Sequence, residues 1–203
     1  DLIRLADYMA VSSCYLLVVK TAEQMLEVMH TPRKVGMWIT TVEFGPKNMS
    51  FQPPKDHFQG SLAALLEGMI NNIHAVPRLL YMRPFKPYFH SGRVEGPDVA
   101  KIVRKSVQFI HVQTSIEKVL EEDFERATLY AQQFEEYRVV HCFGENWNFE
   151  AYSQAQQNAS FKAAVVNFKQ DMAQLNKWYK DLDRMKMYGT ERNLHVDSKT
   201  LKN

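Results

Sequence analysis

Cysteine is nearly absent, with Cys14 and Cys142 standing alone and far apart in 203 residues. Two such residues build no disulfide framework, and both read as reduced packing residues of an intracellular protein. Charge of one sign is also lacking. Lys and Arg number 25 against 23 Asp and Glu, a formal net charge of +2, which gives no strong field to draw in nucleic acid or an anionic membrane. The longest unbroken apolar run of the first helix pattern, Cys14 to Val19, is far shorter than the ~20 residues that cross a bilayer, so nothing is expected to span one. The eight glycines include no string before a helix that ends in Lys then Ser or Thr, so phosphate is not expected to be cradled by that route.

Chemistry-bearing clusters are scarce as well. The seven histidines, His111 and His141 among them, are scattered without the close partners that a zinc or di-iron site requires. His141 and Cys142 are neighbours in sequence and point different ways on a helix. Glu121-Glu122-Asp123 and Glu135-Glu136 read as the wet face of long helices rather than as acid and base pairs. Cys14 reads as core, not nucleophile. No catalytic, cofactor-binding or metal-ligating residue is therefore expected in this segment.

What is present is helical rhythm. Leu5, Met9, Leu16, Val19, Leu26 and Met29 repeat at helical spacing from Leu2 to about Met29, where Thr31-Pro32 stops the helix. Met37 to Phe44 then alternates as a strand, with Trp38, Thr40, Val42 and Phe44 on one face. Gly45-Pro46-Lys47-Asn48 turns it, and Met49 to Phe51 returns, giving a hairpin at about 37–51 that must lie on helices. After Pro53-Pro54, Asp56 and Gln59 form a capping pattern ahead of a helix with Phe58, Leu62, Leu65, Met69, Ile73 and Val76 on its stripe, ended by Pro77. The stretch Arg83 to Pro97, rich in proline and aromatics, reads as an ordered connector.

From Asp98 to about Phe143 neither proline nor glycine interrupts the pattern. One helix about 70 Å long, or two with a break near Glu121, would fill it. Gly144-Glu145-Asn146 ends that stretch. Phe161, Val165, Phe168, Met172, Leu175, Tyr179 and Leu182 then step by four and three, as at coiled-coil core positions. Ala164, Trp178 and Met185 widen the stripe, which suits a multi-helix bundle better than a free dimer zipper. On this reading Phe168→Glu costs several kcal/mol through lost burial and desolvated charge. Gly189 is expected to end the helix, and Asn193 to Ser198 to form a short strand. The fold class expected is mainly α: an elongated bundle of long helices with a small hairpin at about 37–51 and a strand near 193–198. Residues 1–97 and 98–203 form its two parts, and the chain reads as a piece of something longer.

The segment Leu2-Ile3-Arg4-Leu5-Ala6-Asp7-Tyr8-Met9 with its long helix, the turn Phe51 to Pro54, and the helix closing on Val76-Pro77-Arg78 resemble the C-terminal part of the tail of axonemal dynein heavy chains. Tyr137 onward, through the helix Phe161 to Leu182 and the strand Asn193 to Ser198 before Leu201, is similar to the stretch leading into the linker of those motors. The resemblance runs collinearly along nearly the whole chain. Pro84 to Gly96 departs from it. It implies a force-transmitting tail segment in the cytoplasm of a cilium or flagellum, with no cofactor of its own. ATP and Mg would belong to the intact motor, and the partners would be other heavy, intermediate or light chains and, through the complex, axonemal microtubule doublets, with no nucleic acid and no membrane. The alternative is a stand-alone helical adaptor of the spectrin or vinculin sort. A helical enzyme holding a metal in its bundle is the third.

Overall fold

The computed structural model describes residues 2–31, 36–45, 48–82, 98–138, 148–184, 188–191 and 193–202. They form helices α1 (Leu2–His30), α2 (Lys55–His74), α3 (Val99–Lys105), α4 (Val107–Gln132), α5 (Phe149–Ala155) and α6 (Phe161–Arg184). Strands β1 (Trp38–Phe44), β2 (Met49–Gln52), β3 (Tyr188–Glu191) and β4 (Leu194–Asp197) make one sheet in the order β2-β1-β4-β3. The chain is thus mainly helical with a small sheet. It divides into two compact units that interleave in sequence, Asp1–Arg33 with Lys55–Glu122 and Lys34–Pro54 with Asp123–Asn203. This division differs from consecutive parts 1–97 and 98–203, because the ribbon β1–β2 pairs with a strand from the far end of the chain. The expected connector 83–97 lies outside the described residues.

In the first unit α3 packs on α1 and α2, and α1 also meets α2 and the short turn Leu79–Tyr81. Its core holds Val11, Val18, Val19, Ala22 and Met29 from α1, with Phe58, Leu62, Leu66, Ile70 and Ile73 from α2. The expected stripes are therefore rotated. Leu5, Met9 and Leu16 are exposed, as are Leu65 and Val76. Helix α1 is apolar nearly all round, so spacing alone does not select its inner face. The line that faces inward is Asp7, Val11, Val18, Ala22 and Met29, with small and β-branched side chains that let helices approach closely.

No helix runs unbroken from Asp98. Asp98 caps α3 by accepting the Ala100 amide at 3.0 Å. The chain then turns extended at Ser106, whose Oγ accepts the Phe109 amide at 3.3 Å and starts α4. The break falls at a serine that satisfies an orphan amide, and α4 passes through Glu121 without interruption. Asp56, expected as a cap, stands inside the first turn of α2, where a carboxylate suits the positive end of the helix dipole.

In the second unit the hairpin forms as its alternation predicts. Thr41 pairs with Gln52 and Phe44 with Met49, and Thr40 and Val42 are buried while Ile39 faces out. Phe51 meets Phe124 of α4 edge-on, with ring centroids 5.7 Å apart. The expected strand at 193–198 appears as β4, whose Leu194 and Val196 are fully buried. Two features were not expected. Strand β4 lies parallel to β1, with Trp38 opposite Leu194 and Thr41 opposite Asp197, and Gly189 sits within β3 opposite Val196 instead of closing α6, which ends at Arg184.

Gly36 lets β1 approach β4. A Cβ there would lie 2.7 Å from both the Asn193 carbonyl oxygen and the His195 amide nitrogen, a clash with backbone that no rotamer relieves. Gly36→Ala is expected to lower stability by about 1–3 kcal/mol. Gly60→Ala, in α2 with open space around the added methyl, should instead raise it by roughly 0.5–1 kcal/mol through helix propensity. Urea midpoints of the two variants check both signs.

Candidate functional site: the seam between the sheet and α4

The acidic run at 121–123 does not act as one wet face. Glu121 takes the Lys55 ammonium at 2.8 Å on a half-exposed surface. Asp123 is fully buried and accepts the Asn193 side-chain amide at 3.0 Å. Asn193, also fully buried, receives the Trp38 amide on its backbone carbonyl at 2.9 Å. A single residue thus fastens β1 through its main chain and α4 through its side chain. Farther along α4 the Tyr130 hydroxyl meets Ser198 Oγ at 3.2 Å, and burial pushes the phenol pKa up against the opposing effect of that hydrogen bond.

At the far end of the hairpin Arg138 stacks over Phe44, 5.6 Å from the ring centroid, and donates to the Gly45 carbonyl and, at 3.0 Å, to Glu135. The Arg138 hydrogen bond holds the Glu135 carboxyl below its usual range. These groups position backbone. Asp123, buried without exposed surface, cannot meet a substrate in this arrangement.

Among the described residues, those singled out for chemistry are not brought together. His111 is exposed on α4, His57 stands edge-on to Phe58, and His74 Nδ1 lies 3.3 Å from the Asp98 carboxylate. His141 and Cys142 fall outside the described residues, and Cys14 is half-buried. Among the described residues no group of three or more His, Cys, Asp or Glu could hold a metal ion. A groove of about 630 Å³ in the first unit is lined by Ile73, Val76, Met82, Arg78, Asp98 and Lys101. Its Arg78 is committed to Asp7, His74 on the same wall pairs with Asp98, and its described lining holds no serine, threonine or cysteine. No protein-family model and no curated protein matches the chain.

The salt link of Arg78 went unread in the sequence. Its Nε donates to both Asp7 oxygens, at 3.0 and 2.9 Å, and its terminal nitrogen adds a further bond to Oδ2. The Asp7 side chain is only 2% exposed. A signal existed: from Leu2 to Val19 only Arg4 and Asp7 are charged, and a lone acid in an apolar helix needs a partner. Run length also understated α1, whose most apolar stretch has a mean hydropathy of 1.6. By length and composition α1 could cross a membrane, yet here one of its faces packs on α2 and α3.

Helix α6 departs furthest from expectation. Its 4-3 repeat exists, but Phe161, Val165, Phe168 and Tyr179 are exposed, Phe161 by 85%, and none of its described side chains is fully buried. Phe168 touches Tyr152 edge-on at 6.1 Å, and the Tyr152 hydroxyl donates to Asp171 at 2.9 Å. The repeat marks a face that stays exposed or half-exposed.

Two outcomes are expected. Phe168→Glu should cost about 1 kcal/mol, the value of an exposed aromatic contact, rather than the several of a core position; a calorimetric melt measures it. Asp7→Asn should cost about 1–3 kcal/mol, since it removes the charge to which the half-buried Arg78 guanidinium donates. The Arg78 hydrogen bond, outweighing desolvation, lowers the folded pKa of Asp7. Its stabilisation is therefore complete above the unfolded value of about 3.9 and is lost as pH falls below it through the folded pKa. Acid unfolding of the wild type should show this loss, and the Asn variant should lack it.

Proposed function

We propose that this chain is a structural, force-transmitting segment of an axonemal dynein heavy chain, from the C-terminal part of the tail where it leads into the linker. The observation that carries the reading is the collinear resemblance from Leu2 to Leu201. The mainly helical architecture with a small sheet is compatible with it, and the finer form proposed is an elongated helical bundle. Two residues of the resembling stretches add physical support. Asp7, in the opening segment, and Arg78, just beyond the end of α2, are the two halves of an ion pair whose carboxylate is buried.

In this reading the segment has no chemistry of its own. ATP and Mg act in the intact motor, and the segment's partners are other dynein chains and, through the complex, the microtubule doublets of the ciliary or flagellar axoneme. A second reading, a cytosolic helical adaptor, is favoured by one observation, the exposed apolar stripe of α6. The reading frame beyond Asn203 separates them: a series of AAA+ modules with phosphate-binding loops is expected for dynein, and a stop codon for an adaptor. The purified segment should also hydrolyse no ATP, and turnover that follows the segment through purification would overturn the proposal.

A further inference from the structure

The direction in which each strand joins the rest of the chain gives the sheet a mechanical property. Strands β1 and β2 form one antiparallel hairpin, and β3 and β4 form another. The parallel ladder β1·β4 is what hydrogen-bonds the two hairpins together. In the first hairpin the turn Gly45–Asn48 lies beyond Phe44, and both connections leave at the Trp38 end. One precedes β1, and the other follows Gln52 through Pro53, whose carbonyl accepts Thr40 Oγ1 at 3.0 Å. The second hairpin is reversed. Its turn sits beside Trp38, because Leu194 is opposite Trp38, and both connections leave at the other end, because Tyr188 is opposite Asp197.

We infer that β1·β4 is a shear clamp. Tension drawn through either connection of the first hairpin and either connection of the second pulls β1 and β4 in opposite senses along their own axes. Every bond of the ladder is then loaded at once, with none at a free end to break first. The arrangement does not depend on which covalent connection carries the load. Fully buried Leu194, Val196, Thr40 and Val42 back the ladder, and the close approach at Gly36 fixes the start of its register. Asn193 anchors the same end to α4 through Asp123. Neither catalysis nor a partner is required. That such tension arises in the cell rests on the force-transmitting reading above, whereas the resistance belongs to the sheet itself.

Single-molecule pulling on the whole chain tests the clamp by changing only the direction of load. One preparation carries handles at Met37 and Lys199, which shear β1 against β4. The other carries them at Asn48 and Lys199, which lie toward the same end of the ladder and peel it open bond by bond. Azide-bearing residues serve as attachment points, so Cys14 and Cys142 are left unmodified. Matching urea midpoints for the two labelled chains ensure that force, not stability, is compared. The shear pair should rupture at a several-fold higher force at equal loading rate. Equal forces, or a weaker shear pair, would overturn the clamp. A reading frame without motor modules would instead remove the source of the load while leaving the ratio intact, so the two proposals fail separately.

Discussion

The parallel pairing of β1 with β4 is the constraint on which the second unit depends. It joins residues near the start of the chain to residues near its end, so the loop-closure entropy of most of the sequence opposes it. A two-stranded ribbon gains too little to stand in water by itself. With β4 beside it, β1 becomes a central strand, and Thr40, Val42, Leu194 and Val196 share one buried layer. Parallel ladders are found almost only where their faces are covered. Here Phe124, Ala127 and Ala131 of α4 are buried in the same unit, with Phe51 seated on Phe124.

Buried polar groups then select this arrangement over its neighbours. A register slip of one residue would turn Leu194 and Val196 outward and carry Asn193 away from both Trp38 and Asp123. The buried amide and carboxylate would lose partners in an apolar surrounding, a larger penalty than the bond between them is worth when made. Asp7 and Arg78 play the same part in the first unit. They fix the rotation of α1, whose apolar surface is too uniform to do so, and thereby decide that Val11 rather than Met9 faces the core.

These cases also explain what the sequence could disclose. Alternation at Met37 to Phe44 and at Asn193 to Ser198 announced strands, with the correct faces, because period two is a local property. Their pairing is not local, and nothing in either segment names the other. An absence of proline and glycine does not exclude a break at Ser106, because serine offers the backbone an alternative hydrogen bond. Gly189 does not act as a stop, since its entropic penalty is small beside the ladder that holds it in an edge strand. Asp123 was grouped with its acidic neighbours, yet one step along a helix turns a side chain by about 100°, enough to separate the surface from the interior.

Helix α6 shows the limit of periodicity as evidence for function. A 4-3 repeat states that one face of a helix is apolar; it does not state that the cover belongs to the same folded unit. In a self-sufficient domain the two coincide, which is why the repeat was read as core. Here the stripe from Phe161 to Tyr179 is half-exposed along its length, while the sheet buries Thr40, Val42, Leu194 and Val196 completely. Closure has gone to the contacts that set strand direction, and exposure remains on a helix whose loss of burial costs this chain little. A segment that works by holding chain direction under load needs the first property. The second is what a binding surface would carry, which is why the face of α6 favours the adaptor reading while the orientation of the two hairpins says nothing of a partner.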